Sequence, residues 1–135
     1  MSAPDRWYSF AEEDLRMAEL ALDESLHNQT CFHAQQCVEK AMKALLLTVA
    51  PGTVPPRTHS IADLLKKLPS RIAMRLPPGL ASSMDAFYLP SRYPDALPGS
   101  LPDGNPTAAQ AREALRLARK TLEACRKEPG PGPRA

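Results

Sequence analysis

Long apolar runs are missing from this sequence. The longest, residues 44–50, is about a third of the roughly 20 residues a membrane-spanning helix needs, and it contains Thr48. The opening, MSAPDRWYSFAEEDL, lacks a basic-then-apolar leader, so export is not expected and a cytoplasmic location is. Cysteine is scarce: Cys31, Cys37 and Cys125 are an odd number at spacings that match no zinc or redox motif. They read as small buried thiols in a reducing compartment. There is no phosphate-cradling glycine loop, no helix carrying two histidines plus a glutamate, and no nucleophile elbow. Nothing implies a metal or a cofactor. Alternating runs rich in valine, isoleucine or aromatics are absent too, so strands are not expected.

What remains is helical. At 135 residues the chain can bury one core, and residues 1–128 are expected to form one domain followed by a disordered tail at 129–135. Trp7, Ala11, Leu15, Ala18, Leu22 and Leu26 recur at steps of three and four, the mark of a helix that buries one face; SAPD caps it and HNQ stops it. His27 then reads as a helix-end residue suited to the carbonyl dipole. A second helix is expected over residues 30–49, ending at Pro51 and Gly52. THSIADLLKKL predicts a short helix capped by Thr58 or Ser60 and closed by Pro69. Another short helix should span about 80–88. Five prolines and two glycines between residues 89 and 106 exclude regular structure there. A last helix over 107–126 buries Ala108, Ala111, Leu115, Ala118, Leu122 and Cys125. Three long and two short helices predict an all-α, up-and-down antiparallel bundle.

Charge is uneven along the chain. Residues 1–30 hold seven acids and two bases, whereas residues 31–135 hold eight acids and 15 bases. Either an anionic partner is drawn to one side, or opposite charges meet across neighbouring helices. The last helix poses the same choice: Arg112, Arg116, Arg119 and Arg126 could hold phosphates, but pairs with Glu113, Glu123 and the acidic first helix are favoured. The carboxylates cluster on the first helix, where they look exposed and without an apolar pocket, so acid–base work is not expected.

Two constellations could carry function. On the second helix Ala34, Val38, Ala41, Leu45 and Thr48 share the core arc, and His33, Gln36, Lys40 and Lys43 lie opposite within about 80°. Phe32 and Leu47 flank this polar stripe, which marks it either as a wet face or as a surface meeting a second copy, a partner or a ligand. The other is FYLPSRYPDALPG, a proline-stiffened corner. Arg92 offers a planar fork to a phosphate or carboxylate, Tyr88 and Tyr93 can stack, and Asp95 can hold the fork or cap the turn. His59 approaches this corner only if the short helices fold back.

DLRMAELAL, FHAQQCVEKAMKALLL, THSIADLL and MDAFYLPSRYPDA, in this order, resemble the HEPN (higher eukaryotes and prokaryotes nucleotide-binding) domain family. The resemblance covers residues 7 to 127. It implies an up-and-down helical bundle that usually dimerises, often encoded beside a small nucleotidyltransferase, as the toxin or binding half of a two-component system. Many such proteins are metal-independent ribonucleases with an arginine followed four to six residues later by a histidine. No histidine follows Arg92, and no arginine precedes His27, His33 or His59 at that interval. Half of the catalytic pair is missing, so cleavage by that route is not expected. The expected function is a nucleotide- or partner-binding module, a homodimer working with a nucleotidyltransferase. A divergent ribonuclease toxin acting on RNA is the alternative, and a purely structural subunit a third. The ligand-binding positions implied are His33, Gln36, Lys40, Lys43, Arg92, Tyr93 and Asp95, with Phe32 and Leu47 at the interface.

Overall fold

The computed structural model describes residues 2–92 and 105–131, for residues 88–92 the backbone only. Six helices are formed among them and no strand: α1 (Ala3–Asp23), α2 (His27–Val49), α3 (Ile61–Lys66), α4 (Ser70–Ala73), α5 (Leu80–Arg92) and α6 (Ala108–Lys127). The all-α bundle is as expected, and no described helix is long and apolar enough to cross a membrane.

α1 starts where its capping chemistry says it should. The Ser2 side chain accepts from the Asp5 N–H while Asp5 accepts from the Ser2 N–H, a reciprocal capping box. Its end was not legible, because no glycine marks it. Ser25 takes the left-handed conformation (φ 58°), and the Leu26 N–H reaches back to the Ala21 carbonyl at 2.8 Å. The chain therefore reverses within three residues, and α2 begins at His27, three residues earlier than the sequence pattern placed it. His27 thus sits at the positive end of α2 rather than at the carbonyl end of α1, and Leu26 is left exposed between them.

α2 is the centre of the molecule, packed against α1, α3, α5 and α6. Ala34, Val38, Ala41 and Leu45 are fully buried, as are Met42, Cys31 and Cys37. The three thiols are core atoms; burial pushes Cys31 and Cys125 up to about 12 and Cys37 higher still. The ion pairs Glu19–Arg119 and Glu12–Arg126 show α6 running antiparallel to α1. Because α1 and α2 form a tight hairpin, α6 and α2 share a direction, the short helices carrying the chain back between them.

α3 is held by two caps. Ser60 Oγ accepts from the Asp63 N–H at 3.2 Å, and from α5 Asp85 accepts from the N–H groups of Ile61 at 2.7 Å and Ala62 at 3.2 Å. α4 is a single turn absent from the sequence reading; it buries only Ile72. α5 also departs from expectation. It opens after Gly79, whose φ of 72° needs a glycine, and it runs on to Arg92 through Pro90. Arg92 therefore lies on a helix, where the sequence pattern excluded regular structure, since a proline within a helix removes one hydrogen bond but keeps a helical φ. In the tail Gly130 lies against Thr48, and residues 132–135 are outside the described residues.

Candidate functional site

The seam between α1 and α2 holds charge. Asp14 falls on the buried stripe of α1, between Ala11 and Ala18, and is 8% exposed. On α2, His33 and Lys40 stand two turns apart and so share a side. His33 Nδ1 lies 2.9 Å from Asp14 Oδ1, and Lys40 Nζ donates to Asp14 Oδ2 at 2.5 Å. A carboxylate only accepts, so Nδ1 carries the hydrogen. The Lys40 ammonium also lies 5.9 Å from the centroid of the Phe10 ring, and Phe32 meets the His33 ring edge-on at 5.1 Å.

A second centre is built on Glu39. Lys43 Nζ donates to Glu39 Oε2 at 3.1 Å, and His59 Nδ1 lies 2.8 Å from Glu39 Oε1. The Glu39 and Lys43 side chains are only 5% and 8% exposed. Lys43 lies over the Trp7 ring at 5.5 Å. Gln35 Nε2 donates to the His59 carbonyl at 3.1 Å, and Gln36 Nε2 to Gln35 Oε1 at 2.7 Å. The linker before α3 is thereby clipped to α2 through both the main chain and the side chain of His59.

His33, Gln36, Lys40 and Lys43 do form one stripe, as the spacing predicts. It faces α1 and the linker, however, because both pack against that side of α2 and leave His33, Gln36 and Lys40 only half-buried. Each ammonium is met by a carboxylate, so the stripe is electrically closed on itself. Asp14 corrects the expectation that the first-helix carboxylates are exposed, and Glu39 is a second buried carboxylate that the sequence reading did not single out. Glu39 was readable, standing four residues before Lys43 in the favourable order. Asp14 left a fainter signal, a charge in the buried phase of α1.

The other candidates separate. Leu47 is buried at 6% exposure, already covered by its own chain, and so leaves little surface for an interface. Phe32 is half-buried. The large exposed apolar side chains of α1 are instead Phe10 (56%), Met17 and Leu20, which the sequence reading did not single out. His59 is placed on Glu39. Arg92 is located as the last residue of α5, whereas its side chain, Tyr93 and Asp95 lie outside the described residues. On α6 three of the four arginines pair as favoured: Arg119 donates to Glu19 at 2.7 Å, Arg126 pairs with Glu12, and Arg116 pairs with Glu113, while Arg112 and Glu123 form no ion pair among the described residues.

The HEPN domain family model matches residues 4–128. The chain belongs to the HEPN domain family. Across 124 residues it is 30% identical to a protein of Methanocaldococcus jannaschii named "Putative toxin MJ1304", covering 84% of this chain and 79% of that one. Among solved structures, TT1696 from Thermus thermophilus is similar with a TM-score of 0.76 and 36% identity, over 94% of this chain and 98% of that chain. ST0689, described as an archaeal HEPN homologue, has a TM-score of 0.68 and 33% identity, over 93% and 97%. These likenesses span the whole HEPN bundle.

Proposed function

We propose that this HEPN chain is the binding half of a two-component, toxin–antitoxin-like pair, working with a small nucleotidyltransferase and not itself cleaving RNA. The observation that carries the reading is how the histidines are used. His33 and His59 each commit Nδ1 to a core carboxylate, Asp14 and Glu39, and the sequence has no histidine after Arg92. Cleavage by the family's route calls for an arginine and a histidine at one phosphate, and both imidazoles here serve as ties between elements.

A homodimer belongs to the same reading. It is supported by the exposed Phe10, Met17 and Leu20 of α1, apolar side chains on one side of that helix that a second copy would cover. The nucleotide part rests on Arg92, Tyr93 and Asp95, because Lys40 and Lys43 are already neutralised within the chain. The test is native mass spectrometry of the chain co-purified with the product of its neighbouring gene, which this reading expects to be a small nucleotidyltransferase. The expected result is a complex containing two copies of this chain, with any retained nucleotide read from the mass.

The kinship with a protein named as a toxin favours one rival, a divergent ribonuclease. Expression of the chain alone separates the two: harmless expression agrees with a binding half. Growth arrest that disappears in Arg92→Ala would replace it with the nuclease.

A further inference from the structure

A groove of about 870 Å³ runs along the outside of α6, remote from the α1–α2 seam, walled on its other side by the segment that follows α4. The floor is apolar, with Leu76 and Leu117 buried beneath it and Met74 standing 83% exposed at its rim. The walls are cationic. Lys120 and Lys127 line it without an ion pair among the described residues; Arg75 and Arg116 stand beside them but are paired with Glu128 and Glu113, and exposed Glu123 is the one acid set against the two lysines. Of the two acids lining it, Glu128 is spent. Its side chain, 6% exposed, is gripped by Arg75 Nη1 at 2.7 Å and Arg71 Nη1 at 3.5 Å. That double grip ties α4 and the segment after it to the end of α6.

We propose that this groove is the docking surface for an acidic, amphipathic segment of a protein partner. Apolar side chains of that segment lie on Met74, Leu76 and Leu117, and its carboxylates meet Lys120 and Lys127. The proposal deepens the two-component reading and rests on it, naming the surface at which the partner half is held. Two features favour a peptide over nucleic acid. No aromatic ring lines the groove among the described residues, so there is no platform on which bases would stack. A naked Met74 at the rim offers nothing to a phosphate backbone, but it is the flexible apolar contact that protein partners use. Charge complementarity then selects an acidic occupant and speeds its encounter.

Lys120 and Lys127 lie on the solvent side of α6, so Lys120→Glu combined with Lys127→Glu leaves the bundle intact, checked by circular dichroism and melting temperature. The full chain and this variant are each titrated by calorimetry with the neighbouring gene's product, the nucleotidyltransferase that the two-component reading expects. The double variant is expected to bind on the order of tenfold more weakly or worse, and wild-type affinity should fall as salt rises. Wild-type affinity retained by the variant overturns the groove while leaving the two-component reading standing. A wild-type chain that binds no nucleotidyltransferase overturns both. Binding of a single-stranded oligoribonucleotide that competes with the partner and is lost in the double variant would reassign the groove to RNA and overturn the proposal.

Discussion

α2 and α6, 23 and 20 residues long, carry the same three-four apolar pattern and meet opposite fates. α6 buries Ala111, Leu115, Ala118 and Leu122 and keeps its cations outside, where they pair in water with Glu113, Glu19 and Glu12. α2 buries its apolar arc and takes Thr30, Gln35, Glu39 and Lys43 below the surface as well, leaving His33, Gln36 and Lys40 half-buried. The difference lies in the number of neighbours. A helix covered on one side can leave its charges solvated, whereas a helix enclosed by four others must neutralise them locally. The polarity of a stripe therefore says little about whether it is wet.

The largest expected effect sets that contrast at Glu39. Glu39→Ala strands the buried Lys43 ammonium and unclips His59, and should cost about 3 kcal/mol in urea denaturation. A loss below about 0.5 kcal/mol would erase the distinction between the two helices. Asp85→Ala probes the join between α5 and α3, where one carboxylate caps two N–H groups. Its expected cost is about 1–2 kcal/mol, with faster amide exchange confined to residues 60–66; exchange spreading into α2 would mean that α3 is part of the core. The smallest effect belongs to the exterior. Arg119→Ala breaks a pair whose side chains are 50% and 29% exposed and should change stability by no more than about 0.5 kcal/mol, less still in about 1 M salt. A cost near that of Glu39→Ala would place the α1–α6 face inside the molecule after all.

Much of the bundle was legible because its signals are local. The capping boxes at Ser2 and Thr107, the prolines after α2 and α3, and the apolar period of α6 act within a few residues of where they are read. The misses share a cause. The end of α1 uses Ser25 in a conformation glycine usually takes, and α5 continues through Pro90 where prolines commonly announce a stop. The site was half legible: His33, Gln36, Lys40 and Lys43 stand out as a stripe, but their partners Asp14 and His59 are 19 and 20 residues away from His33 and Glu39. No pattern on α2 announces which helix will lie across it.

By itself the amino-acid order determined helix and period, since those follow from backbone sterics and the spacing of apolar side chains. It also settled the absence of a histidine after Arg92, which bears on the chemistry without any coordinates. Only the packed molecule decided that Lys40 and Lys43 are spoken for and that the α6 groove is lined by lysines without ion-pair partners among the described residues. Whether a charge is available depends on what stands across from it, and that distance is set when helices far apart in the chain come together.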